Sequence, residues 1–143
     1  MNVILPLKIL ERTRKSDGKE FWFIFNLNAY TNAATCTFRR NAIKQNFSEQ
    51  IGPLVRNLKP FKEPIELIYT LYRGDKRRCD LSNVCSIVDK YFSDVLVKEG
   101  VIEDDDYKHI PKVTYLFGGI DKENPRCEVQ IEKYIQHTQY YIQ

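Results

Sequence analysis

The stretch from Asp80 to Lys98 constrains the fold more than any other. Leu81, Val84, Cys85, Val88, Tyr91, Phe92, Val95 and Leu96 recur at i, i+3, i+4 and i+7, the period of a helix with one apolar face. Asn83, Ser86, Lys90 and Asp94 fall on an opposite, polar side. Such a helix must bury its stripe against another layer. Gly100 stands where the helix should stop. Upstream, "EPIELIYTLYR" is rich in β-branched and aromatic residues and reads as a strand. Downstream, "KVTYLFGGI" and "RCEVQIEKYI" read as two more, joined through the turn-rich "DKENP".

The N-terminal half is less regular. "NVILPLKILERT" reads as a single first strand, with Pro6 marking an edge or a bulge. Asp17-Gly18 is a hairpin turn signal, and "FWFIFNLN" returns as an aromatic second strand. From Ala29 to Leu58 the chain is mostly helical in character. Phe38, Ile43, Phe47 and Ile51 lie near helical spacing, and Gly52-Pro53 predicts a break or kink. The order is strand, strand, helix, strand, helix, strand, strand. It predicts an α+β fold, a single domain over residues 1–143, with a mixed β-sheet and two main helices packed on it.

Totals narrow the function classes. A chain that is 43% hydrophobic and 29% charged is globular rather than disordered. A net charge of +3 permits a nucleic-acid partner without demanding one. Cys36, Cys79, Cys85 and Cys127 form no C-x-x-C pair, and His109 and His137 are the only histidines, which excludes a structural zinc site. No apolar run approaches the roughly 20 residues of a membrane span, and the first residues lack the pattern of a secretory leader. A soluble, cytoplasmic protein with reduced thiols and no membrane partner is expected.

Charge is concentrated in two places. Arg73, Lys76, Arg77 and Arg78 put four cations into six residues. Such a turn is either a solvated loop or a grip on phosphate oxygens, which guanidinium groups can hold bidentately. Asp80 follows at once, placed either to cap the helix or to ligate a metal. The second concentration is the acidic run Glu103 to Asp106. Adjacent carboxylates repel unless water or a cation screens them, so the run is a hydrated loop or part of a Mg²⁺ site. Asp80 and the 104–106 loop would share that site if both lay at one end of the sheet. Lys90 sits one turn before Asp94, either as an ordinary surface pair or as a cation near the reacting phosphate. Tyr30, Tyr140 and Tyr141 are core residues or stacking platforms for bases. His109, next to the acidic run, is a candidate proton shuttle.

Together, "KRRCDLSN", the helix carrying "DKYFSDVLVKEG", and "VIEDDDYKHI" resemble the RusA-type Holliday-junction resolvases of phages and prophages. That pattern is a basic run, D-L-D-N, a lysine-bearing helix ending in D-A-L, a glycine, and a D-D pair. Asp80, Leu81 and Asn83 match the first block, Asp94-Val95-Leu96 the second, and Gly100 with Asp104-Asp105 the last. The likeness covers roughly residues 75–110. It implies a Mg²⁺-dependent endonuclease, Mn²⁺ substituting, that acts as a homodimer on branched DNA such as a four-way junction in recombination and repair. By the resemblance Asp80 and Asp105 would be metal ligands, Asp104 would support them, and Lys90 would lie near the phosphate. Arg73, Lys76, Arg77 and Arg78 would contact DNA.

Ser82 stands where the pattern has its second aspartate. A hydroxyl is a poorer Mg²⁺ ligand and brings no charge, so the site would recruit Asp75, Asp94 or Asp106, bind metal weakly, or be inactive. The helix is also about one turn longer between the blocks, which shifts a residue by ~5.4 Å along the axis but keeps its face. Lys90 is preferred to Ser86 as the matching position because of its spacing to Asp94. Two readings follow: a structure-selective nuclease, and a non-catalytic branched-DNA-binding protein that kept the fold and lost part of the metal site.

Overall fold

Pro6 divides the first apolar stretch into two strands, where a single one was expected. β1 (Asn2–Leu5) ends before it and β2 (Lys8–Thr13) begins after it. Proline donates no backbone N–H and restricts the residue before it, so the chain turns there and the two halves enter different sheets. β2 pairs antiparallel with β3 (Glu20–Ile24) around the expected Asp17-Gly18 turn. The Arg14 N–H donates to the Lys19 carbonyl at 2.8 Å, and Asp17 accepts from the Lys19 N–H at 3.0 Å. A register shift between Leu10 and Arg12 sets Glu11 inward, where its buried carboxylate accepts a 2.6 Å hydrogen bond from Arg39.

The structure, a computed structural model, describes residues 1–136. The expected long helical segment is two helices, α1 (Leu27–Ala34) and α2 (Thr37–Val55). Asn26 caps α1 by accepting from the Ala29 N–H at 2.8 Å. Gly52-Pro53 does not break α2 but sits in its last turn. Pro53 cannot donate to the Glu49 carbonyl four residues earlier, but Glu49 is exposed, so water can serve that carbonyl. Gly52 gives room for a neighbour, since a Cβ there would lie 2.6 Å from the Glu99 carboxylate. Ile43, Phe47 and Ile51 are buried as expected, but Phe38 is 89% exposed. Five residues before Ile43, it is rotated about 140° away from that face.

β4 (Ile65–Arg73), α3 (Leu81–Lys98) and β5 (Lys112–Ile120) form the unit that positions the site. β4 and β5 are parallel, so the chain must cross back between them, and α3 is that crossover. β6 (Arg126–Lys133) pairs antiparallel with β4 and with β1, giving a mixed sheet of order β1-β6-β4-β5. Leu67, Tyr69 and Leu71 on β4 and Cys127, Val129 and Ile131 on β6 are buried on the face under the helices. Val84, Cys85, Val88, Phe92, Val95 and Leu96 of α3 close the core from the other side. α3 ends as predicted at Gly100, whose φ of 73° suits glycine. The Gly100 N–H donates to the Val97 carbonyl and the Val101 N–H to that of Leu96, a paired C-terminal cap. The fold is α+β, with a mixed sheet under two long helices and one short one.

Candidate metal and nucleic-acid site

The basic turn leaves β4 at the carboxyl-terminal edge of the parallel strands. Asp75 organises it, accepting from the Arg77 N–H at 2.9 Å and from the Arg73 guanidinium at 3.2 Å. These bonds, that of the Arg77 N–H first, hold the Asp75 carboxyl below its ordinary range. Arg73, Lys76, Arg77 and Arg78 line a hollow of about 270 Å³, closed by Leu71, Leu81 and Phe117. The Arg73 Nε is buried there with no hydrogen-bond partner among the described residues. Lys76, Arg77 and Arg78 are exposed.

Asp80 ends this turn as the N-cap residue of α3, in an extended conformation, but its side chain caps no backbone N–H. The first turn of the helix is tied by the Asn83 N–H, which donates to the Asp80 carbonyl at 3.1 Å. The Asp80 carboxylate is thus left exposed, between Cys79 and Leu81, which both line the cationic hollow. Ser82 is exposed, and its carbonyl accepts from the Ser86 hydroxyl. Asn83 faces the other way, accepting from the Leu27 N–H at 3.1 Å and anchoring α1.

The acidic run divides its work. The His109 Nδ1–H donates to the Asp106 carboxylate at 2.6 Å, and the exposed Glu103 carboxylate lies 3.9 Å from the other side of the ring. Asp106 raises the His109 pKa, and the imidazole in turn lowers that of Asp106. This pair steadies the loop most between the two shifted values. It weakens as pH rises through the His109 value or falls through that of Asp106. Asp104 and Asp105 are exposed and line a cleft of about 680 Å³ between α2 and α3, with Lys44, Asp94 and Lys98. The Asp94 carboxylate approaches Lys44 at 3.9 Å rather than Lys90. Lys90 lies over the Tyr30 ring, 5.7 Å from its centroid, and Tyr30 packs edge-on against Tyr91. Tyr140, Tyr141 and His137 lie outside the described residues.

Asp80 and Asp104-Asp105 do not lie at one end of the sheet. In a β4-α3-β5 unit the loop entering the helix is at the carboxyl-terminal edge and the loop leaving it is at the opposite edge. α3 itself is 18 residues, or about 27 Å, long, and the Asp105 charge reaches Asp89 midway along it. Among the described residues no three of His, Cys, Asp or Glu converge on a common point. The donor chemistry itself, exposed carboxylates with water access and no thiolate or imidazole among them, suits Mg²⁺. One chain therefore carries two separate acidic groups: Asp80, next in the chain to the cationic turn, and Asp104-Asp105 in the cleft.

Sequence reasoning passed over Asp89. It sits on α3 toward the sheet and accepts from the Tyr69 hydroxyl at 2.7 Å, the Ser93 hydroxyl at 3.0 Å and the Tyr115 hydroxyl at 3.4 Å. Burial pushes its carboxyl pKa up against these donors, and the charge of Asp105 adds to the rise. Tyr115 is itself pushed up to about 12, chiefly by burial and by Asp89. The signal was available: an acid four residues after Cys85 and three before Phe92 falls beside the apolar stripe. Because the folded-state value is raised, Asp89 favours the fold more as pH falls through that value and less above it. Asp89→Ala is expected to cost roughly 1–3 kcal/mol by leaving the buried Tyr69 hydroxyl unpaired. Asp89→Asn keeps the acceptor and should lose less, with a flatter stability profile from the ordinary carboxylate range upward. Denaturant unfolding of the three proteins across a pH series checks this.

The β2–β3 hairpin was also read only for its strands. Lys8 lies 4.8 Å from the Trp22 ring centroid and Arg12 4.1 Å from that of Phe21, with Trp22 exposed. All four cysteines are free. Among the described residues no helix is long and apolar enough to cross a membrane. No protein-family model matches the chain, and no curated protein matches it.

Proposed function

We propose that the protein is a Mg²⁺-dependent, structure-selective DNA endonuclease of the RusA type, acting as a homodimer on four-way junctions and related branched DNA. The observation that carries this reading is the exposed Asp80 carboxylate, which caps no backbone N–H and stands in the chain between Cys79 and Leu81 of the Arg73, Lys76, Arg77 and Arg78 hollow. A carboxylate with no capping role next to clustered cations is suited to a metal-bound phosphodiester. In a dimer whose α3 helices run antiparallel, Asp80 of one protomer meets Asp104 and Asp105 of its partner. These three carboxylates would hold the ion.

Bound there, Mg²⁺ would polarise the phosphoryl oxygen and lower the pKa of a water. The protein's own groups do the rest. Arg77 and Arg78 hold the backbone, and Asp75, bonded to the Arg73 guanidinium, keeps the turn in shape. Two such sites related by a dyad suit the near two-fold symmetry of a junction.

Ser82 supports a second reading, junction binding without cleavage, because a hydroxyl replaces one expected carboxylate. A junction and a matching linear duplex, each with Mg²⁺ and with chelator, separate the two. Paired nicks on the junction alone, lost with chelator, are the expected result; tight binding without nicks supports the second reading. Arg77→Gln with Arg78→Gln is expected to flatten the salt dependence of junction binding by about two units in the log–log slope, about one per lost phosphate contact. An unchanged slope would remove the basic turn from the interface.

A further inference from the structure

The β2–β3 hairpin pairs with no other strand among the described residues. Its inner face is fixed: Ile9 and Phe23 are buried, and Phe23 packs edge-on against Phe25 and Tyr91. Side chains alternate along a strand, so Lys8, Trp22 and Ile24 stand on the outer face. Trp22 is 46% exposed and Ile24 57%, which leaves a bare apolar face where the sheet has no second layer.

Charge gives the sign of the partner. From residue 8 to residue 24 the chain holds five exposed cations, Lys8, Arg12, Arg14, Lys15 and Lys19. It holds three acids, and two are engaged: Glu11 is buried against Arg39, and Asp17 accepts from Arg14. Four cations then face Glu20 alone. Cations also stand over the rings, Lys8 over Trp22, and Arg12 and Lys19 over Phe21. A surface that offers a ring and a cation together matches a chain that repeats a base and a phosphate. An acidic peptide would satisfy the cations but bring no flat apolar face to the indole. The hairpin also leads toward the cationic turn. Its second strand runs on into α1, and the Leu27 N–H donates to Asn83 in the first turn of α3, three residues after Asp80.

We propose that the outer face of the hairpin binds single-stranded nucleic acid, with a base stacked on Trp22 and the flanking phosphates on Lys8 and Arg12. The lysine over the indole is a compact charge on a flexible stem, and it moves to a phosphate as the base takes its place. This surface goes beyond the metal-dependent cleavage proposed above and does not rest on it. A fully paired junction keeps its bases stacked on one another, whereas the hairpin takes unpaired strand.

Trp22 is the only tryptophan in the chain, so its fluorescence reports this surface alone. Titration of the wild-type protein with a thymidine homo-oligonucleotide, in chelator, should quench that emission saturably, and added salt should reverse it. Trp22→Ala should weaken binding of the labelled oligonucleotide about 10-fold with circular dichroism unchanged, and Trp22→Phe, which keeps a ring, should lose less. Lys8→Gln with Arg12→Gln should flatten the log–log salt slope by about 1.4 units, about 0.7 for each lost phosphate contact on a single strand. The wild-type titration decides even if a variant misfolds. Trp22 emission that the oligonucleotide leaves unchanged overturns the proposal, and so does equal quenching and affinity with a matching duplex. A blue shift on vesicles of anionic phospholipid, without quenching by the oligonucleotide, overturns it in favour of a lipid surface. Each of these failures leaves the nuclease reading standing, because that reading is tested by nicks on a paired junction.

Discussion

Mixing two inactive proteins is expected to restore activity. Asp80→Asn and Asp105→Asn should each reduce Mg²⁺-dependent nicking of a four-way junction by about 10²–10³-fold or more, since each removes a charge placed to act on the reacting phosphate. If each site takes Asp80 from one protomer and Asp105 from the other, a mixed dimer contains one intact site and one doubly broken site. Random re-association makes half of the dimers mixed, so about one quarter of the wild-type sites return. The product should be single nicks rather than paired ones, because a mixed dimer has one working centre. The premise is the topology: α3 is entered at one edge of the sheet and left at the other, so Asp80 and Asp105 belong to loops at its opposite ends. Incubation of the separately purified variants, followed by a denaturing gel of labelled junction arms, reads the result. No recovery after proven subunit exchange would place both carboxylates in separate functions and end the shared-site proposal.

Phe47→Ala is expected to have the largest effect on stability. Phe47 is fully buried on α2 and meets Phe25 with ring centroids 5.6 Å apart and Tyr91 at 5.7 Å. Phe25 in turn packs edge-on with Phe23 and with Tyr91. These rings join the hairpin, α2 and α3, three elements that share no backbone ladder with one another. Removing the central one leaves a cavity that aromatic neighbours cannot easily fill, at a cost of about 3–5 kcal/mol. Domains of this kind are stable by only about 5–15 kcal/mol, so the melting temperature should fall by roughly 10 °C or more. Thermal and denaturant unfolding measure it; a loss under 1 kcal/mol would mean that the rings are not one cluster. Leu54→Ala, on the exposed side of the same helix, should change little.

Much of the architecture was legible in single elements. The apolar period of Asp80–Lys98 located α3, and Gly100 its end, because burial period and left-handed cap are properties of a few neighbouring residues. Alternation and β-branching located β4, β5 and β6 for the same reason, and Asp17-Gly18 located the hairpin turn. Pro53 was misjudged because its cost depends on whether water reaches the Glu49 carbonyl four residues before it. Phe38 was misjudged because apolar composition was read without its angle around the axis. Asp89 escaped notice because its partners, Tyr69 and Tyr115, come from two strands far away in the chain.

The candidate site divides in the same way. The cationic turn with Asp80 and the acidic pair Asp104-Asp105 are written in contiguous residues and could be read directly. Whether they meet is a question of chain direction. The parallel pairing of β4 and β5 forces α3 to run the length of the sheet, so its two flanking loops lie at opposite edges. Residue types and local spacing reveal which groups a chain possesses. The distances among those groups arise from strand order and crossover, which depend on contacts between segments dozens of residues apart.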